Sequence, residues 1–267
     1  MRRLLLGLWV LGTSACSGGP YFIGEHRPDR SIADAGVDSG APSECETSLD
    51  AALVCSGFEA EELASEWPDM TVLEAGELSR TAERAHSGQG ALRAASNGGQ
   101  SVAVVSAELE PAVGSGTLYL RVHLFVPAGL PTETINILFV GAYPEPDPFL
   151  GMDINLEGGA LQVFSPQANP ARQTGALIIP RDQWFCLRAE IAVGDEGAVQ
   201  LYVDGALALD VVAIDTLPDE GIRLLRAGVD WSSAQQAAFE IYLDDLVLDR
   251  APVACAGAAT ATAAGQR

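Results

Sequence analysis

The chain reads as an all-β protein, a two-sheet antiparallel sandwich, on three observations. Apolar and polar residues alternate at period two in run after run, Gly, Pro and Asp mark the turns between runs, and little of the sequence carries a helical period. Leu118, Leu120, Val122, Leu124 and Val126 face one way, with Tyr119, Arg121, His123 and Phe125 the other. Leu150, Met152, Ile154 and Leu156 then alternate with Gly151, Asp153 and Asn155. Phe185, Leu187, Ala189, Ile191 and Val193 repeat the pattern, Val199, Leu201 and Val203 lead into the turn Asp204-Gly205, and Phe239, Ile241, Leu243 and Val247 close it. Strands of this kind bury one face each, and about a dozen of them need two sheets packed face to face. Helix is expected only near residues 61–66 and 232–237, and the absence of adjacent repeats counts against a propeller.

Ahead of the strands, residues 1–16 (MRRLLLGLWVLGTSAC) combine two arginines, a short apolar run and small residues ending on a cysteine. That is the pattern of a bacterial lipoprotein signal, with Cys16 as the lipidated N-terminus and the membrane as partner through its acyl chains. Thr13 stands where such signals usually carry Leu, and a plain secretory signal cut after Ala15 is the alternative. Ser17 replaces the aspartate that favours inner-membrane retention in some bacteria, which points to the outer membrane, facing either the periplasm or the medium. Residues 16–44, rich in Gly, Pro, Ser and Asp, form a tether reaching about 30 Å as a flexible coil. Residues 45–255 make the sandwich domain, and residues 256–267 a low-complexity tail.

Loss of residues 1–15 removes Arg2 and Arg3 from the 15 basic residues and none of the 36 acidic ones, taking the formal charge from −21 to −23. Such a surface repels nucleic acid and disfavours polyanionic ligands, and it favours divalent cations. Besides Cys16, the four cysteines Cys45, Cys55, Cys186 and Cys255 fit two disulfides in an oxidising compartment. Cys45 with Cys55 and Cys186 with Cys255 is the favoured pairing, and Cys55 with Cys255 stays open.

Three stretches carry a resemblance. Gly57-Phe58-Glu59, Trp67 and His86-Ser87-Gly88-Gln89-Gly90-Ala91-Leu92-Arg93 form the first; Trp184-Phe185-Cys186-Leu187 leading to Leu201-Tyr202-Val203-Asp204-Gly205 the second; Phe239-Glu240-Ile241-Tyr242-Leu243-Asp244-Asp245-Leu246-Val247 the third. In this order they resemble the concanavalin A-like lectin/glucanase jelly rolls, which include laminin-G-like and carbohydrate-binding modules. The resemblance implies a jelly-roll sandwich and a structural calcium held by Glu59, Asp244 and Asp245. Adjacent carboxylates in a strand point to opposite faces, so one of the two aspartates needs a partner against an apolar row, calcium or an arginine such as Arg93.

The resemblance also implies a concave sheet whose non-core rows bind glycan, here Tyr119, Arg121 and His123 beside Asp153, Asn155 and Trp184. Gln162, Phe164, Arg188 and Glu190 fall on the same rows, and Trp231, in the Asp230-Trp231-Ser232 loop, is expected to cover a sheet edge, with a stacking platform as the alternative. Neutral polysaccharide is the expected partner. Glycanases of this fold use an E-x-D-x-E strand, against which Asp153-Ile154-Asn155-Leu156-Glu157 is degenerate. A lyase needs a base and a cation, for which Tyr119, His123 and Arg121 are the clustered candidates. The expected protein is a lipid-anchored, non-catalytic, glycan-binding module; a glycan-cleaving enzyme and a structural or protein-binding domain are the alternatives.

The anchor is directly testable. Cys16→Ser is expected to abolish incorporation of labelled palmitate and to move the protein out of the membrane fraction; unchanged labelling and fractionation would refute the lipid assignment.

Overall fold

The alternation of the sequence becomes thirteen antiparallel strands in the computed structural model, which describes Cys45 and residues 52–129, 133–143, 150–168 and 172–255. Cys16, the signal, the tether and the tail lie outside the described residues. The strands are β1 (Val54–Ser56), β2 (Asp69–Thr81), β3 (Ala91–Val113), β4 (Gly116–Phe125), β5 (Ile135–Ala142), β6 (Leu150–Glu157), β7 (Ala160–Phe164), β8 (Arg172–Ile178), β9 (Trp184–Val193), β10 (Gly197–Val203), β11 (Ala206–Ile214), β12 (Ile222–Ser232) and β13 (Phe239–Asp249), with one short helix, α1 (Leu63–Glu66). No described helix is long and apolar enough to cross a membrane.

Strand order divides them into two layers. β11-β10-β9-β4-β13-β3 make the first sheet and β3-β12-β5-β6-β7-β8 the second, so the long strand β3 belongs to both. It bends at Gly98 and Gly99, whose φ values of 104° and 79° are costly for residues with a Cβ. β2 follows it around the corner, where a Cβ on Gly76 would meet the Val102 carbonyl oxygen at 2.0 Å. Leu118, Leu120, Val122 and Leu124 of the first sheet pack on Leu138, Val140, Met152, Ile154, Leu161 and Val163 of the second in one core. Each fully buried Leu, Ile or Val side chain contributes about 1.5–3 kcal/mol.

Local departures from alternation re-aim individual side chains. On β13, Asp244 pairs with His123 and Val247 with Arg121, so three steps along β13 match two along β4. This is a bulge, with Asp245 at φ 48° as the extra residue. Leu243, Leu246 and Leu248 all reach the core, and both aspartates are left on the outer face with His86 and His123. The expectation that they point to opposite faces is corrected by that one inserted residue. Arg93 pairs instead with Glu240 at 2.8 Å and Glu77 at 3.3 Å. Two other expectations change in the same region of the chain: Trp231 lies within β12 rather than in a loop, and residues 233–237 form a turn rather than a helix.

Cys45 is bonded to Cys55 and Cys186 to Cys255. The second bridge fastens the segment of residues 250–255 to β9, beside which Arg121 Nη1 donates to the Ala254 carbonyl at 2.9 Å. Closing 69 residues of sequence separation is expected to stabilise the fold by about 4 kcal/mol on chain entropy. Cys255→Ser should therefore lower urea stability by about that amount and open the 250–255 segment to protease; a loss under about 1 kcal/mol would show that the polar contacts hold the segment without the bridge.

Candidate functional site

Because β5, β6 and β7 send their apolar residues inward, their other residues form the outer face of the second sheet. Two rows run across it in register. Arg226, Phe139, Asp153, Phe164 and Arg172 occupy successive partners on β12, β5, β6, β7 and β8, and Trp231, Asn136, Asn155, Gln162 and Thr174 the parallel row. Over them lies a cleft of about 400 Å³, bordered on its other side by Leu73 and Val102 of β2 and β3. Bulges in β5 and β12 set the second row: Asn136 meets Asn155 and Trp231 meets Asn136 only because one extra residue precedes Leu138 and others separate Ala227 from Trp231.

The floor of this cleft is polar and oriented. Asn155 Nδ2 donates to Gln162 Oε1 at 3.0 Å, and Gln162 Nε2 passes the chain on to Glu157 and to Thr174 Oγ1. The Asn136 amide favours the charged form of Asp153. With those donors used, Asn136 Oδ1, Asp153 Oδ1 and Asn155 Oδ1 are buried acceptors with no hydrogen-bond partner among the described residues. Trp231, at 39% exposed, and Phe164, under the Arg172 guanidinium at 5.2 Å, give the cleft aromatic surface.

An ion pair runs along β12. Arg226 Nη1 lies 2.5 Å from Asp230 Oδ1 and 2.5 Å from the Tyr143 hydroxyl. Burial lifts the Asp230 carboxyl to about 6 against the pull of Arg226. Burial, reinforced by the charge of Asp230 and opposed by Asn136, Arg172 and Arg226, lifts Asp153 to about 7. Burial also raises the Tyr143 phenol. A carboxyl poised near neutrality in a cleft can donate or accept a proton.

The outer face of the first sheet is built differently. Arg121 and His123, 1% and 3% exposed, lie under the 250–255 segment and the loop of residues 82–90. Asp244 accepts from the backbone N–H groups of His86 (2.7 Å), Ser87 (3.1 Å) and Asp245 (2.7 Å), which fastens that loop to β13. Asp245 Oδ2 faces His86 Nδ1 at 2.8 Å and His123 Nδ1 at 3.5 Å, and its Oδ1 accepts from Ser87 Oγ at 2.8 Å. Burial raises Asp244 to about 8, its neighbour Asp245 adding to the effect. For Asp245 the histidine and serine hydrogen bonds together outweigh burial and depress the carboxyl; burial lowers the His123 imidazole. Trp184 stands edge-on to His86 and to Phe125, each at 5.8 Å.

The single glycan row expected from the sequence is thus divided. Tyr119, Arg121, His123 and Trp184 belong to the first sheet, whereas Asp153 and Asn155 belong to the cleft on the opposite outer face. Sequence reasoning missed Asn136, Arg172, Arg226 and Asp230 and placed Trp231 in a loop rather than in β12. Glu59, Asp244 and Asp245 are not gathered into one ligand set either: Glu59 accepts from the Gln89 N–H at 2.9 and 3.1 Å, a close approach that needs the bare Gly88, where a Cβ would sit 1.9 Å from Glu59 Oε1. Along β6 the spacing of Asp153 and Glu157 matches the glycanase pattern, but Asn155 stands for its middle aspartate and Glu157 is engaged by Gln162 and Thr174.

No family model and no curated protein matches the sequence. The fold is similar to that of an endo-β-1,4-glucuronan lyase from the fungus Trichoderma reesei, with TM-score 0.61 and 12% identity over 74% of this chain and 95% of that one. It is also similar to a cellulose-induced protein, with TM-score 0.57 and 14% identity over 76% and 99% of the two chains. A sialidase matches with TM-score 0.51 and 14% identity over 74% of this chain but 18% of its own. These likenesses place the chain among jelly-roll sandwiches.

Asp153 has a measurable pH signature. A carboxyl raised from 3.8 to about 7 by folding contributes stability that is complete below about pH 4 and is lost as pH rises through 7. Asp153→Asn, which cannot ionise, should match the wild type at pH 4 and exceed it at pH 8, by up to about 4 kcal/mol. Parallel denaturation curves at the two pH values check this, and an unchanged difference between them would count against the buried, uncharged carboxyl.

Proposed function

We propose that the chain is a cell-envelope polysaccharide-binding module, anchored through Cys16, whose ligand lies in the cleft of the second sheet. The observation that carries this reading is the set of three oriented acceptors, Asn136 Oδ1, Asp153 Oδ1 and Asn155 Oδ1, buried at the cleft floor. Buried acceptors need donors, and the hydroxyls of a sugar ring supply them side by side. Trp231 and Phe164 offer apolar faces on which a pyranose ring can stack, while amides fix its orientation. A neutral chain suits the strongly acidic protein, whose net field disfavours polyanions. The glucuronan lyase among the fold neighbours is consistent with a glycan-related role.

A second reading, polysaccharide β-elimination, is favoured by one feature of the same cleft. Asp153, lifted to about 7, is a base or acid of suitable strength, and Arg172 and Arg226 line the cleft with it, where a uronate carboxylate could be neutralised. The candidates Tyr119, His123 and Arg121 for that chemistry lie on the other face, two of them buried.

On the binding reading, glycan-array hits should be weakened at least tenfold by Asn155→Ala and by Trp231→Ala and left unchanged by Tyr119→Ala, with no unsaturated uronate released. Release of unsaturated product that is lost in Asp153→Asn would establish the lyase reading instead. Affinity indifferent to both cleft substitutions would move the site elsewhere.

A further inference from the structure

We propose that His86, His123 and Asp245 form a binding site for a divalent transition metal of the zinc class, which locks the loop of residues 82–90 onto the first sheet. These residues are the one group of three His, Cys, Asp or Glu side chains gathered closely enough for an ion among the described residues, with ligand atoms all within 4.8 Å of one another. The site lies on the face opposite the cleft, so it stands apart from the glycan reading.

Its geometry is that of a ligand set. His86 Nδ1 and His123 Nδ1 approach the same oxygen, Asp245 Oδ2, at 2.8 and 3.5 Å. Ligand atoms about 2.0–2.1 Å from a tetrahedral zinc lie about 3.4 Å from one another, so the two distances bracket the spacing a metal requires. The rings are stacked with centroids 3.6 Å apart and 9° between their planes, so an ion shared by the two in-plane lone pairs turns one ring out of the stack. His123 Nδ1 is buried, and its contact with Asp245 Oδ2, at 3.5 Å, is a long one. A metal would satisfy the nitrogen. Two imidazoles with one carboxylate suit zinc and its neighbours, whereas calcium takes six to eight oxygens.

The surroundings hold the set in place. Ser87 Oγ donates to the second oxygen of Asp245, and the positive φ of Asp245 in the β13 bulge turns its carboxylate toward the histidines. Asp244 holds the His86 and Ser87 backbone, which positions the one ligand that comes from a loop. The His86 side chain is 30% exposed, so a fourth position opens to water or to a small ligand beside Trp184.

The test uses the full-length protein carrying Cys16→Ser, so that no free thiol competes, made without a histidine tag and stripped with EDTA. Titration with Zn²⁺ should give one ion per chain and raise the melting temperature, and EDTA should reverse both. His86→Ala, at a half-exposed loop position that leaves the core intact, should weaken binding at least tenfold and remove the thermal shift; Ser87→Ala should weaken it about tenfold. His26→Ala should change nothing. His123→Ala is a weaker probe because the ring is buried, and the exposed His86 decides the matter even if that variant fails to fold. Zinc bound to His86→Ala as tightly as to the parent, or less than one-fifth of an ion per chain at saturating metal, would overturn the proposal. So would stabilisation by Ca²⁺ alone that disappears in Glu59→Ala, which would return the metal to the carboxylate set.

Discussion

The architecture depends on the bend of the β2/β3 ribbon. β3 leaves the first sheet at Ser96, where it pairs with Phe239, and enters the second at Ala103, where it pairs with Val229. Between them Gly98 and Gly99 adopt positive φ, Gly99 N donates to the Gln236 carbonyl at 2.7 Å, and Ser232 Oγ donates to the Gly99 carbonyl at 2.8 Å. Those bonds satisfy backbone groups that lose their ladder partners at a corner. One strand serving both sheets fixes how the sheets face each other, and so which residues of every later strand look outward. The cleft exists because β12, β5, β6 and β7 are aligned on the Ala103–Val113 half of β3.

What was legible in the sequence was whatever rests on period two alone. Leu118, Leu120, Val122 and Leu124, or Phe185, Leu187, Ala189 and Ile191, declare an inward face without reference to any other strand, and they form the core. What was not legible rests on departures from that period or on which sheet a strand joins. Asp244 and Asp245 look like residues on opposite faces until the bulge adds one residue to β13 that β4 does not match. Trp231 looks like loop because Gly228, at φ 128°, and Asp230 interrupt the pattern, yet the bulge there is what sets the indole opposite Asn136. Tyr119 and Asp153 have equivalent places in their own strands, and nothing local to either says that β4 and β6 lie in different sheets.

Net charge is a similarly poor guide at short range. A formal charge of −21 governs the far field and the exclusion of nucleic acid. Inside the cleft the balance is two arginines with two aspartates, and burial further lowers the ionisation of both acids. The local potential therefore follows the few groups that β12, β6 and β8 bring together, over distances shorter than the screening length of about 8–10 Å.

The two outer faces show how buried polarity separates different kinds of site. In the cleft, the donors of Asn136, Asn155 and Gln162 are consumed within the sheet and the acceptors are left over, an asymmetry that selects a ligand rich in donors. On the first sheet it is imidazole nitrogen and carboxylate that are concentrated, under a loop and a disulfide-fastened segment. Concentrated electron-pair donors within 4.8 Å of one another call for a compact cation rather than a chain. The strands of each sheet are the same kind of object, with one apolar and one polar face. What differs is whether the residues left outward are short of donors or short of positive charge, and that difference decides what each face is able to hold.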